Sequence, residues 1–430
     1  MLDIFETAAN QGKSCLRDAD CAAHGDKGFC DSFLDYTCST RCTSDEQCVV
    51  HPETNAEPYR FVCRADGRCA PDAFITTWQI FEETVVSGGN KTLFITAEEC
   101  DFDIDWGDGT REHVSECSED SPAHTYEAGT YTVIIRGKVN GWHVPPLTFA
   151  PYYPHIISVT AFGPVGLGEG CFANSGIEKF SDIDIPDATK LQTLKKAFTG
   201  ERFNLPVEHW DTSYVTDMDS TFYVSRSFNQ PLGRWNTANV RTMYAMFGFG
   251  DVFNQPLNDW DTSNVETMER MFMSADEFNQ PLNDWDTSHV TNMTQMFWYA
   301  ESFNQPLDHW DVSNITSMDE IFSGASAFNQ PLNAWDVSNV EYMDGMFREA
   351  HSFNQPLDHW NTGKVKSTIE MFYGATAFDQ DLSAWDVRNV VLYFGMFLDS
   401  GLSKQNYCKL MAIKAWKPLA ETLEKDIQCP

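Results

Sequence analysis

Tryptophan recurs every 25 residues in the second half of this chain, at Trp210, Trp235, Trp260, Trp285, Trp310, Trp335, Trp360 and Trp385. Each lies in a near-copy of one phrase, clearest at Phe278–Asn279–Gln280–Pro281–Leu282–Asn283–Asp284–Trp285–Asp286–Thr287–Ser288. A fixed period of roughly 20–50 residues marks stacked coils, each too small to bury its own apolar face. Such an array makes a long regular surface, which suits binding better than catalysis.

The coil Leu257–Pro281 shows the expected build. Leu257, Trp260 and Thr262 follow the Leu-x-x-Leu-x-Leu strand spacing of a leucine-rich repeat, with tryptophan as the second leucine. Val265, Met268, Met271 and Phe272 step by three and four, which predicts a helical turn or two. Proline at 281 then turns the chain. Burying one aromatic removes roughly 150–250 Å² from water. At about 25 cal/mol/Å² that is on the order of 4–6 kcal/mol before entropy. The stack is therefore expected to be stable only as a whole.

Net charge is −34, from 63 acids against 29 bases. Nucleic acid is excluded as a partner, since phosphate binding needs clustered Lys and Arg. No apolar run reaches the roughly 18–20 residues of a membrane span. The opening Met-Leu-Asp-Ile-Phe-Glu has no basic-then-apolar pattern, so no signal peptide is expected in it. Yet 13 cysteines are present, eight of them in Cys15-x5-Cys21-x8-Cys30-x7-Cys38 and Cys42-x5-Cys48-x14-Cys63-x5-Cys69. That density belongs to an oxidising compartment. The expectation is an extracellular or cell-surface protein whose signal peptide is absent from this chain. The absence of a Cys-x2-Cys pair argues against zinc.

Four segments follow: a disulfide-rich module of two four-cysteine units (1–71), an all-β domain (72–150), a solenoid (151–400, regular from about 203) and a helical cap (401–430). Residues 155–200 read as irregular opening coils. Cys171 reads as a buried thiol. The cysteine spacing resembles the small modules of secreted proteins, as in the Dickkopf amino-terminal region. In the second segment Val85–Val86, Thr92–Ile95 and Tyr131–Ile135 read as strands. Phe102, Ile104 and Trp106 alternate with Asp101, Asp103 and Asp105. Trp106-Gly-Asp-Gly-Thr110, His124-Thr-Tyr126 and Gly129-Thr-Tyr-Thr-Val133 together resemble the polycystic-kidney-disease (PKD) type β-sandwich. Cys100 and Cys117 can bridge within it. The three aspartates invite a calcium reading, with Glu112 at the twelfth position of an EF-hand count but Trp106 where glycine is required. Strand alternation alone also puts them on one solvated face. In the last segment Ser403 is a candidate cap, followed by an amphipathic run through Trp416 and Leu423 and a Cys408–Cys429 clip.

The phrase Phe-Asn-Gln-Pro-Leu-x-x-Trp-Asp-Thr/Val-Ser-Asn-Val-x-x-Met-x-x-Met-Phe resembles the repeat of BspA-like bacterial surface proteins, in its Mycoplasma-type lipoprotein form. Phe74-Ile-Thr-Thr-Trp78 and Leu402-Ser403 … Asn406-Tyr407 resemble that family's flanks. The resemblance implies an extracellular, solenoid-bearing surface protein with proposed adhesive roles; it does not imply an enzyme.

Three columns follow from the period. One reads Asp211, Asn236, Asp261, Asp286, Asp311, Asp336, Asn361, Asp386. It either closes Asx-turns or binds cations or a basic partner. A second, expected to face outward, reads His209, Arg234, Asp259, Asp284, His309, Ala334, His359, Ala384. Its histidines are too widely spaced for zinc, His309 and His359 lying roughly 10 Å apart across two coils. The third is the Asn-Gln ladder from Asn229–Gln230 to Asn354–Gln355, expected to be structural and buried. Phe203-Asn-Leu-Pro-Val207 and Phe378-Asp-Gln-Asp-Leu382 are degenerate copies at the stack ends. Asn90, Asn292 and Asn314 fit the glycosylation acceptor pattern.

No catalytic motif is present, and no cofactor is expected beyond calcium. The leading expectation is a non-enzymatic surface protein that binds an extracellular protein or glycan through a solenoid face. The alternatives are a self-assembling surface layer or filament, and ice or mineral binding by the Thr212, Thr237, Thr262, Thr287, Thr362 column.

Overall fold

The computed structural model describes residues 61–63, 69–81, 92–118, 122–143, 155–181, 184–420 and 429. Cys15 to Cys48, Val85–Val86, Asn90 and Leu423 lie outside the described residues. Two compact units divide the chain: Met1–Thr193 with His209–Tyr214, and Leu194–Glu208 with Val215–Pro430.

In the first unit β1 (Phe61–Cys63) pairs antiparallel with β2 (Cys69–Pro71). The remaining strands are β3 (Phe74–Ile80), β4 (Thr92–Phe94), β5 (Glu99–Asp105), β6 (Arg111–Val114), β7 (Ala123–Thr125), β8 (Gly129–Asn140) and β9 (His155–Ala161). Five of them form an antiparallel sheet in the order β6-β5-β8-β3-β9, and β4 pairs with β7. Alternation works as read: Phe102, Ile104 and Trp106 are buried while Asp101 and Asp103 are exposed. At Gly107 the backbone has φ +80° and a Cβ would fall 2.4 Å from the Thr132 carbonyl oxygen, so the β5–β6 turn requires glycine. Cys100 and Cys117 are bridged.

β9 corrects the expectation of opening coils from 155. His155-Ile-Ile-Ser-Val-Thr-Ala161 is rich in β-branched residues and pairs with β3, so the boundary expected at 150 falls inside the first unit. Cys171 is fully buried and unbridged, and burial pushes its thiol pKa up. Trp210 also packs here, with its indole 5.2 Å from Phe180 and edge-on to Phe162 at 5.5 Å.

In the second unit the 25-residue copies bond to one another in parallel register. Bridges join Asp217, Thr242, Thr267 and Asn292 in sequence, and again Ser317, Tyr342, Ser367 and Leu392. The internal build of a copy differs from expectation. Leu257–Thr262 is not a strand: the Trp260 N–H donates to the Leu257 carbonyl (3.1 Å), closing a four-residue turn. Met268–Ala275 is not a helix but three overlapping turns, with Met271 bonded to Met268, Met273 to Arg270 and Ala275 to Phe272 at 3.1–3.2 Å. The intervening amides donate to the next copy: Met268 to Asn292, Arg270 to Thr294, Phe272 to Met296 and Ser274 to Trp298. Arg270 and Ser274 take φ +58° and +50°, and the equivalent residue of every regular copy does the same. A left-handed residue at each fourth position keeps the three-and-four apolar spacing of a helix while freeing alternate amides for the neighbour.

Aromatic rings fill the interior. Phe247, Phe272 and Phe297 lie parallel with centroids 5.6 and 5.7 Å apart, and Phe272 stacks on Phe278 at 4.0 Å. Trp285 and Trp310 are parallel at 6.5 Å. Offset parallel rings are the favoured arrangement of facing π systems. Each indole N–H from Trp235 to Trp385 donates to a main-chain carbonyl 28 residues back, as Trp310 does to Leu282 (2.9 Å).

The Asn-Gln ladder is half-buried rather than buried. Each asparagine Oδ1 accepts the main-chain N–H of the next asparagine and the side-chain amide of the next glutamine, as Asn304 does from Asn329 and Gln330 (both 2.9 Å). Replacing Asn304 by alanine strands both donors and is expected to cost about 2 kcal/mol, at about 1 kcal/mol for each bond. Asn304→Asp keeps the acceptor and should cost much less at neutral pH. Urea unfolding of the two variants checks this; equal losses would remove the ladder as a source of stability.

The last copy is adapted rather than degenerate. Asp379 continues the ladder, accepting the Ser403 N–H (2.9 Å) and the Asn406 side-chain amide (2.8 Å), and Asp381 pairs with Lys409 (2.8 Å). Both aspartates thus dock α1 (Lys404–Met411), whose cap is Ser403. The expected run through Trp416 is broken into α1, a 3-10 turn (Lys414–Trp416) and α2 (Lys417–Ala420). Pro418 has no N–H to continue a helix and sits in the first turn of α2. Cys408 and Cys429 are bridged.

Candidate functional site

The aspartate column is built from local turns. In all eight copies the Oδ1 of the residue after tryptophan accepts the N–H two residues on, at 2.9–3.3 Å. Asn236, Asp261, Asp286, Asp311, Asp336 and Asn361 are exposed, and Asp211 and Asp386 half-buried. Bonds from Ser288 and Ser338 hold the Asp286 and Asp336 carboxyls below their ordinary range. Arg388 takes Asp386 to about 2. Local donors thus meet the carboxylates that like-charge repulsion would otherwise penalise.

The second column faces solvent as read: Arg234, Asp259, Asp284, His309 and His359 are exposed and His209 half-buried. The threonine column points inward; Thr237, Thr262 and Thr287 are buried and donate to the carbonyls of Asp261, Asp286 and Asp311 (2.9 Å each). In the first unit, Asp105 pairs with Arg111 (2.7 Å) and His113 lies 2.9 Å from Asp103 and 3.6 Å from Asp101. Glu112 accepts from the Trp106 indole (2.9 Å), so the carboxylates line a strand instead of folding into an EF-hand loop. Among the described residues no cluster of His, Cys, Asp and Glu is set to hold a metal ion.

The surface that sequence reasoning passed over is the outer side of the turn ribbon. Interior positions are nearly constant, whereas the position beside each constant phenylalanine varies; Gly248 and Ser323 there are buried, and Tyr223, Met273, Trp298 and Arg348 are half-buried. Where Phe222, Phe247, Phe272, Phe297, Phe322 and Phe347 never vary, the next position reads Tyr223, Gly248, Met273, Trp298, Ser323 and Arg348. The signal was available as variation within a constant frame.

The outer side of the turn ribbon, a ladder face separate from the Asn-Gln ladder, carries aromatic and acidic residues. Tyr342 is 40% exposed. Tyr299 donates its hydroxyl to Glu349 (2.7 Å), two copies away, reaching past Gly324, where a Cβ would come within 2.7 Å of the ring. Asp319 accepts the Asp344 N–H (2.8 Å); burial, with Asp344 and Glu320 nearby, raises its carboxyl pKa. In an adjoining column burial and the neighbouring Asp251 and Glu301 raise that of Asp276.

The family described as "Mycoplasma protein of unknown function, DUF285" matches residues 171–257, 192–310 and 300–409, together more than half of the chain. No curated protein and no solved structure matches. No helix among the described residues is long and apolar enough to cross a membrane.

Proposed function

This chain belongs to the DUF285 family, whose function is unknown, and from its stacked copies and its bridged cysteines we propose that it is a non-enzymatic binding protein displayed outside the cell. Its 25-residue copies stack as a solenoid of turns, and the outer side of that turn ribbon meets an extracellular protein or glycan. The cysteine-rich module and a PKD-like sandwich serve as accessory or stalk domains. One observation carries the reading: the half-buried Tyr223, Met273, Trp298 and Arg348 differ from copy to copy beside phenylalanines that stay constant. Two bridges, Cys100–Cys117 and Cys408–Cys429, support an oxidising location.

The test is a glycan-array and matrix-protein screen with the full chain, repeated with Trp298→Ser and Tyr342→Ser. Both variants should lose the captured ligand while melting like the parent. A blank screen with folded protein, or a ligand indifferent to both changes, would count against the reading. A structural role in self-association draws on a different observation, the exposed Val391, Leu392 and Phe394 of the last copy (69, 51 and 70% exposed). Light scattering at rising concentration distinguishes it.

A further inference from the structure

We infer that the Asn-Gln ladder, a surface separate from the outer side of the turn ribbon, binds the main chain of an extended peptide segment of a partner protein. The ladder's inward bonds fix which way its amides point. Asn304 Oδ1 accepts the Asn329 N–H and the Gln330 side-chain amide, and Asn329 Oδ1 accepts the Asn354 N–H (3.0 Å) and the Gln355 side-chain amide (2.9 Å). Gln330 and Gln355 Nε2 also donate to the Asn304 and Asn329 carbonyls (3.1 Å each). The asparagine oxygens thus face only N–H groups and the glutamine nitrogens face only oxygens, so neither amide can be turned over. The far end of each amide points away from these bonds, asparagine Nδ2 as a donor and glutamine Oε1 as an acceptor. Among the described residues, Nδ2 of Asn304, Asn329 and Asn354 and Oε1 of Gln305, Gln330 and Gln355 have no partner, and none of these atoms is sealed from solvent.

A row of donors thus runs beside a row of acceptors, with one of each per copy. The edge of an extended peptide is the complement, since every second residue shows one N–H and one C=O on the same side. The spacing agrees. Next to the ladder, Phe278, Phe303, Phe328, Phe353 and Phe378 recur every 6.0–6.1 Å. Alternate residues of a strand lie about 6.4–6.8 Å apart, a mismatch of about 0.3–0.8 Å per copy that lets about three or four copies engage before the two fall out of step. The prolines that follow the glutamines, Pro281, Pro306, Pro331 and Pro356, are exposed and have no N–H to compete with the asparagine donors. Sugar hydroxyls rotate and each can donate or accept, so a glycan has no need of donors and acceptors kept in separate rows. Recognition of this kind reads the main chain, so it tolerates most side chains but requires a stretch free of its own strand or helix bonds.

The test titrates the full chain by calorimetry with an uncharged peptide of serine, threonine and valine, about nine residues long so that it spans about four copies. Two derivatives each carry a pair of N-methyl groups. In one the pair sits on adjacent central residues and blocks both edges; in the other it sits on alternate residues and leaves one edge whole. The adjacent pair should weaken binding about fivefold or more, the loss expected of one hydrogen bond, and the alternate pair should not. Asn304→Asp with Asn329→Asp keeps the inward oxygens and replaces the outward N–H groups by oxygen. It should weaken the parent peptide about tenfold or more with little change in melting temperature. Asp311→Asn with Asp336→Asn, which removes charge from the aspartate column but keeps its turns, should leave binding unchanged. No binding of the peptide, equal binding of the two derivatives, or indifference to the ladder variant overturns the inference. So does tighter binding of a glucan or chitin-type oligosaccharide that the ladder variant abolishes, which would assign the ladder to a glycan. Should the ladder variant fail to fold, the two derivatives still decide.

Discussion

Trp310→Ala should cost about 3–5 kcal/mol, the usual range for deleting a buried large aromatic. Trp310 is 3% exposed, parallel to Trp285 and 6.2 Å from Phe297. The change also leaves the Leu282 carbonyl without its indole donor, a further term of about 1–3 kcal/mol if water cannot reach it. Trp310→Phe separates the two, since it restores most of the apolar bulk without the donor, and should fall between parent and alanine. Because each copy rests on its neighbours, a hole in the middle should also broaden the unfolding transition. Urea melts followed by circular dichroism read both effects. A loss under about 1 kcal/mol for Trp310→Ala would mean that the aromatic interior is not what holds the copies together.

The second large effect is expected at the carboxy-terminal end. Trp416 is fully buried, with its ring 6.4 Å from Trp385 and 6.3 Å from Phe397. Trp416→Ala should destabilise the last copy by about 3–5 kcal/mol and expose those two rings. The expected readouts are hydrophobic-dye binding and concentration-dependent aggregation that the parent lacks. The Cys408–Cys429 bridge is retained, so the effect reports packing rather than loss of the segment. Acid should act on the same element. The bond from Lys409 lowers the Asp381 carboxyl from 3.8 to about 2. A carboxyl depressed by folding stabilises above its unfolded value and loses that contribution as the pH falls toward its folded one. Dye binding by the parent should therefore rise between about pH 4 and pH 2, and Asp381→Asn should show less pH dependence there. A parent lid indifferent to that interval would rule out the Asp381–Lys409 pair as a clamp.

Much of this was legible where residue chemistry has a single geometric outcome. The Cys408–Cys429 bridge, the Ser403 cap and the Asx-turns after each tryptophan follow from short-range spacing. The turn ribbon was not legible, because Val265, Met268, Met271 and Phe272 satisfy a helix and a chain of turns equally well. Only the inter-copy bonds, which no single copy contains, choose between them. β9 was missed because it was assigned by its position ahead of the repeats rather than by its β-branched residues. Asp379 and Asp381 looked like decay of the consensus until the helix they hold was seen.

Exact 25-residue register has an evolutionary corollary. Any two equivalent points in neighbouring copies share the same backbone partners, so duplicating or excising one whole unit recreates a junction of the kind already present. Length can thus change in steps of one copy with little effect on either end. The varying positions travel with each inserted unit, so a tandem duplication enlarges the variable surface and supplies fresh sites for divergence in a single event.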